Sequence, residues 1–237
     1  MGNAHEYRLI SIVIPTLNAE ETLPDTLSCL VEGALDGLVR DVVVADGGSS
    51  DQTMAIADYM GCEVVTSERG RGYQLAAGAE AAKSDWLLFL HADTVLDARW
   101  QAEVAAFCAS ESKNRDAPRA GVFQFKLRDE GATARILETM VAVRCALFAL
   151  PYGDQGLLIH RSLYDEIDGF QAIPLMEDVD IIRKIGRRRL SFLQTRAITS
   201  ADRFKRNGYI SRSARNLTCL FLYFAGVSPY RIAKIYS

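Results

Sequence analysis

A chain of 237 residues with 49% hydrophobic and 24% charged side chains can bury a sizeable core; it fits one α/β domain, or one domain with a short appendage, and excludes disorder. The net charge of −3 argues against a general nucleic-acid binder, yet residues 200–237 carry seven Lys/Arg and one Asp, which points the tail at an anionic partner such as a membrane surface or a phosphate-bearing ligand. Five scattered cysteines with no CxxC pair suit a reducing compartment and suggest neither a zinc site nor a disulfide framework.

At the start of the chain, MGNAHEYRLI lacks a charged region followed by an apolar run, so no secretory signal is expected. Met1-Gly2 is half a myristoylation signal, because position 6 is Glu6 rather than Ser or Thr. No run reaches the ~20 apolar residues of a spanning helix, and the expectation is a cytoplasmic protein. The run Leu9–Ile14 then reads as a parallel strand covered on both faces. Asn18 and Glu21 resemble a capping box for a helix carrying Leu23, Leu27, Leu30, Ala34 and Leu38, with Pro24 tolerated near its first turn. A strand over Asp41–Ala45 enters Asp46-Gly47-Gly48-Ser49-Ser50-Asp51. There the glycines allow close backbone approach to a ligand and Asp46 offers acceptors to a base or ribose; an ordinary turn capped by Ser49 or Ser50 explains the same residues. After a helix ending near Gly61, a strand over Cys62–Thr66 leads to Arg69-Gly70-Arg71-Gly72. The third glycine of a dinucleotide fingerprint would fall at Leu75, so this loop is not one; it is either a basic loop facing phosphate oxygens or a pair of solvated arginines. A fourth strand, Trp86–Leu90, runs into His91-Ala92-Asp93. A carboxylate there is costly unless solvated, paired or holding a cation such as Mg²⁺ or Mn²⁺, and capping of the next segment is the alternative.

Strand–loop–helix repetition predicts an open, mostly parallel sheet flanked by helices, with these polar loops gathered at the carboxyl edge. Further on, the spacing predicts a helix over Arg99–Ser110, a strand over Gly121–Leu127, a long apolar helix over Thr133–Leu150 and a strand over Gln155–His160. Glu177-Asp178 then opens a helix through Ile185, before a strand over Leu190–Gln194 and a helical tail. Acids at that helix start are either dipole partners or, for Asp178, a base for an acceptor hydroxyl. The division expected is a domain over 1–199 and a basic, partly apolar tail over 200–237. Leu217, Leu220, Phe221, Phe224 and Val227 approximate one helical face of that tail. It would pack on the domain, on a second copy in a homodimer, or on an anionic membrane surface below Arg203–Arg215.

Together Pro15–Glu20, Asp46–Thr53, the Arg69–Gln74 loop, His91-Ala92-Asp93, Gly153–Arg161, Gly169-Phe170 and Glu177–Asp180 resemble glycosyltransferase family 2 over residues 9–187. The Arg69–Gly72 loop, the His-Ala-Asp motif and Val227-Ser228-Pro229 resemble a bacterial subgroup encoded near radical-SAM and selenium-related proteins. The resemblance implies a GT-A fold and transfer, usually inverting, from a nucleotide-diphosphate sugar to a glycan, lipid or small-molecule acceptor. It implies that Thr16, Asn18, Glu20, Asp46 and Gly47 line the nucleoside pocket and that Arg69, Arg71 and Gly72 approach the nucleotide or diphosphate. Asp93 would hold a divalent metal, Asp178 would be the catalytic base, and Glu177 would shape its surroundings. The family often has a carboxylate where His91 stands, which leaves Mn²⁺ or Mg²⁺ open and offers His91 a contact to ribose or phosphate. The competing classes are a sugar nucleotidyltransferase, which needs a glycine-rich basic loop where Pro15–Glu20 stands, and a non-catalytic nucleotide-sugar-binding module.

Overall fold

β1 (Ile10–Thr16) is buried along its whole length because it has parallel neighbours on both edges and helices over both faces. The computed structural model describes residues 9–113 and 118–236; the Met1-Gly2 start and Glu6 lie outside them, as does the side chain of Arg203. Ile10, Ile12 and Ile14 enter one core with Leu23, Val44, Leu88 and Trp100. Val13 enters the opposite core with Val43, Leu75 and Phe89, the period-two alternation of a strand.

The chain continues through α1 (Leu23–Ser28), α2 (Val31–Leu35), β2 (Val39–Asp46), α3 (Thr53–Tyr59), β3 (Glu63–Thr66), α4 (Arg71–Ala81), β4 (Trp86–Phe89), β5 (Thr94–Leu96) and α5 (Trp100–Glu111). β6 (Ala120–Leu127), α6 (Ala132–Phe148), β7 (Leu157–His160), α7 (Arg161–Glu166), α8 (Glu177–Ile185), β8 (Leu190–Thr199), α9 (Asp202–Asn207), α10 (Tyr209–Phe224) and α11 (Pro229–Tyr236) follow. The strands described form one sheet in the order β3-β2-β1-β4-β7-β6-β8-β5. It is parallel from β3 to β4 and mixed beyond, with β7 antiparallel to β4 and β6 parallel to β8. The carboxyl ends of β1, β2 and β4 thus open on one edge, where ligands of such sheets bind.

Three expectations from the sequence are corrected. One helix after Asn18 becomes two, α1 and α2, broken where the Trp100 Nε1–H donates to the Cys29 carbonyl at 3.2 Å. Asn18 does not cap it: the residue sits at φ 49° and its Oδ1 accepts from the Ser50 N–H, while Thr22 precedes the helix without a side-chain cap. β8 runs to Thr199 rather than Gln194, because β5, hidden in the sequence behind the His-Ala-Asp motif, pairs with its second half (Thr94 opposite Thr199).

The five cysteines are free thiols. Among the described residues no helix is long and apolar enough to cross a membrane. α10 and α11 bury Cys219 and Ile232 against Leu175 and Met176, which lead into α8, and against Val179 in its first turn. The single apolar face expected on the tail is therefore split. Leu220 and Val227 turn toward this cluster, whereas Leu217, Phe221 and Phe224 stay exposed.

Candidate active site

The loops after β1 and β2 are knitted together by their own polar groups. Asp46 is fully buried; its Oδ2 accepts from the Gly48 and Ser49 N–H groups and its Oδ1 from the Ser49 and Thr16 hydroxyls, at 2.5–3.0 Å. Burial alone would raise this carboxyl, but the Ser49, Gly48 and Thr16 bonds outweigh it and hold it below its ordinary range. Asn18 Oδ1 holds the Ser50 N–H and Glu20 Oε2 holds the Gln52 N–H, both at 2.9 Å. Gln74 Nε2, buried under the same edge, donates to the Thr16 and Ala45 carbonyls.

A cleft of about 540 Å³ opens over this platform, walled by Thr16, Asn18, Arg69, Arg71, His91 and Asp93 among the residues expected from sequence. Volumes of this order take a nucleotide-sized ligand. Glu20, Asp46, Gly47 and Gly72 do not line it. The two acids are engaged in loop geometry, and Gly47 packs on the Gln74 amide. Gly72 faces away, into the 171–173 loop: a β-carbon there would stand 2.3 Å from the Gln171 carbonyl oxygen and 2.5 Å from that of Ile173. Backbone on both sides cannot yield as a side chain would. Gly72→Ala is expected to lower stability by about 1–3 kcal/mol, read as a fall in the denaturation midpoint; an unchanged midpoint would show that the loop moves aside.

Met176, at φ 69°, turns the chain into α8. The turn sends Glu177 inward and Asp178 toward a smaller cavity at the inner end of the cleft. Glu177 is 1% exposed and lies 2.9 Å from the Arg71 Nε, close enough to ion-pair although off the direction of a good hydrogen bond. Burial pushes its carboxyl up to about 7, with Arg71 opposing and Asp178 adding to the rise. Arg71 in turn is held more firmly protonated by Glu177. Asp178 is oriented by two backbone donors, its Oδ2 accepting from the Gly153 N–H at 3.1 Å and its Oδ1 from the Val179 N–H at 2.8 Å. A β-carbon at Gly153 would meet His91 Nε2 at 2.7 Å, so a side chain there would have to displace that ring.

Arg71, His91, Asp93 and Asp178 border one inner cavity of about 110 Å³ that shares walls with the larger cleft. Asp154 joins them. In the sequence it stands only within the run Gly153–Arg161, where an acid directly after a glycine is its one signal. Burial, then Asp178 and Asp93, push its carboxyl up to about 6 against the pull of Arg144 and Arg71, and its buried Oδ1 has no hydrogen-bond partner among the described residues. Arg212, Asn216, Leu220 and Tyr236 close the cavity from the tail; no sequence spacing announced them. Among the described residues no three His, Cys, Asp or Glu side chains stand together closely enough to hold a metal unaided. One or two carboxylates completed by substrate phosphates and water are nonetheless the usual protein share for Mg²⁺ or Mn²⁺. The orphaned Asp154 oxygen beside Asp93 fits such a cation.

A parallel-to-mixed sheet whose carboxyl edge opens into a nucleotide-sized cleft with a cluster of acids at its inner end defines a GT-A-type protein. The chain belongs to glycosyl transferase family 2, whose profile matches residues 11–143. It is 32% identical over 97 residues to glucosyl-3-phosphoglycerate synthase of Mycobacterium tuberculosis, covering 37% of this chain and 30% of that protein. It is 35% identical over 107 residues to a PGL/p-HBAD biosynthesis glycosyltransferase of Mycobacterium bovis, covering 42% and 41%. The match thus spans less than half the length of these curated relatives. The fold is similar to crystal structures of the M. tuberculosis synthase with Mn²⁺, UDP and glucosyl-3-phosphoglycerate (TM-score 0.62, 19% identity, 95% of this chain and 82% of that one). It is also similar to S. aureus TarS 1-349 with UDP-GlcNAc (TM-score 0.60, 18% identity, 81% and 58%).

Proposed function

We propose that the chain moves a glycosyl group from a nucleoside-diphosphate sugar to an acceptor hydroxyl with inversion at the anomeric carbon. The observation that supports this most is that Asp93 and Asp178 border the same cavity, where the breaking bond and the acceptor would both lie. The acceptor oxygen bonds the anomeric carbon as the bond from that carbon to the diphosphate oxygen breaks. Asp178 takes the hydroxyl proton, and the nucleoside diphosphate leaves. Gly153 and Val179 aim the base by their N–H groups, and Arg71, fixed by Glu177, faces the charge that builds on the departing diphosphate. Asp93 and Asp154, with His91 at hand, would hold a divalent cation, which when bound offsets that same charge. A donor carrying uridine is the first choice, since the solved structures similar in fold hold UDP-glucose or UDP-GlcNAc.

Residues 1–199 would form the catalytic domain, and the 200–237 tail would close its cleft through Arg212 and Tyr236. The finer placement, in the bacterial subgroup encoded near radical-SAM and selenium-related proteins, rests on the Arg69–Gly72 loop, His91-Ala92-Asp93 and Val227-Ser228-Pro229.

A panel of nucleotide sugars tests the reading: one donor should release its nucleoside diphosphate and give a product of inverted configuration. Pyrophosphate release from a nucleoside triphosphate would replace it with a nucleotidyltransferase. Asp93→Ala should weaken donor binding in the presence of Mn²⁺ by at least the ~10–100-fold typical when a metal ligand's support is removed. A donor titration that ignores a chelator would remove the cation from the account.

A further inference from the structure

Two helix faces of this fold meet solvent without charge. On α6, every exposed position from Ile136 to the end of the helix is uncharged. Ile136, Met140, Val143 and Leu147 recur at i, i+4, i+7 and i+11, each at least 50% exposed, and Phe148 extends the stripe at 66%. On α10, Leu217, Phe221 and Phe224 form a second stripe at 54%, 73% and 49%, and the exposed Ser211, Ala214 and Thr218 add no charge. A helix packed on its own domain normally turns charged and polar side chains outward. These two turn apolar ones outward.

Arginines bridge the stripes. Arg183, near the end of α8, lies 5.2 Å from the centre of the Phe224 ring and 5.7 Å from that of Tyr223. Arg187 donates to the Ala146 and Leu147 carbonyls at the end of α6, and Arg188 beside it is exposed. The nearby acids are taken: Asp180 pairs with Lys184 and Glu166 with Arg189.

We propose that the C-terminal half of α6, the Arg183–Arg188 turn and the exposed edge of α10 form a docking surface for an anionic lipid bilayer. The stripes enter the boundary between headgroups and acyl chains, and the arginines lie at the level of the lipid phosphates. Charge complementarity selects lipid over a second copy of the chain. A two-fold dimer through this patch would bring arginine turns together, and the nearby acids among the described residues are already paired with Lys184 and Arg189. The surface also differs from the contact through the tail alone that the sequence suggested. Arg212 lines the inner cavity and Arg215 reaches the Tyr236 carbonyl, so the attraction comes from α8 and the turn after it.

Co-sedimentation of the full chain with vesicles tests this. Binding is expected to vesicles of phosphatidylcholine with added phosphatidylglycerol, not to phosphatidylcholine alone, and to weaken as salt is raised. Arg183→Glu/Arg188→Glu should weaken it by about ten-fold or more. Leu147→Glu/Phe148→Glu, and separately Phe221→Glu, should abolish it without moving the thermal unfolding midpoint. Equal binding to both vesicle types, or binding to neither, overturns the proposal. So does a concentration-dependent dimer that Leu147→Glu/Phe148→Glu converts to monomer.

Discussion

Asp178→Asn is expected to slow glycosyl transfer by about 10²–10⁴-fold while the donor KM stays where it was. The amide keeps the size of the carboxylate, and its carbonyl oxygen can still accept from the Gly153 or Val179 N–H that orients the side chain. What it loses is the ability to take a proton. The loss then belongs to the transition state alone, so kcat and kcat/KM should fall together. Nucleoside-diphosphate affinity, measured by calorimetry, reports on the larger cleft over Thr16, Asn18 and Arg69 and should be unchanged. An equal collapse of binding and turnover would mean that Asp178 holds the cleft together rather than acting on the acceptor.

The half of the site that lies at strand ends was legible in the sequence, for a physical reason. A buried parallel strand is a continuous apolar run, and the first polar residue after it must emerge at the ligand edge. His91, with Asp93 two residues on, follows that rule after β4, as does the loop after β1. Asp46 follows it only in part. It ends β2, yet its carboxylate turns back to four donors inside the loop, and that choice depends on Thr16 and Ser49, partners 30 and 3 residues away. Gly72 is a related case. A glycine beside arginines suggests a backbone open to ligand, whereas here it makes room for the 171–173 loop, 100 residues downstream. Asp154 and the tail residues Arg212, Asn216 and Tyr236 reach the cavity through tertiary packing, through β7 beside β4 and through the Cys219 and Ile232 cluster. No local period encodes such contacts. The family profile likewise ends at residue 143, before Asp154, Asp178 and the tail helices that close the inner cavity.

Arg71→Ala should destabilise the fold much more at pH 8 than at pH 5. Glu177 is the buried member of the pair, 1% exposed against 36% for Arg71. Burial raises its carboxyl from 4.5 to about 7 in the folded chain, with Arg71 the main opposing influence. A carboxyl raised on folding contributes stability that is complete below about 4.5 and is lost as pH climbs through about 7. At pH 5 the folded chain keeps Glu177 largely protonated with or without Arg71, so the two proteins should melt at similar temperatures. At pH 8 the unmodified chain holds an ionised Glu177 against its arginine. The variant must bury that charge alone or hold a proton against the solution. Removing one partner of a buried pair costs about 3–5 kcal/mol. The lower end applies here, because Arg71 is open to solvent on its cleft side and the pair is partly screened. Adding Glu177→Gln to the variant should flatten its pH dependence and return most of the loss at pH 8. A loss equal at both pH values would mean that Arg71 supports the fold by packing its stem rather than by pairing with Glu177.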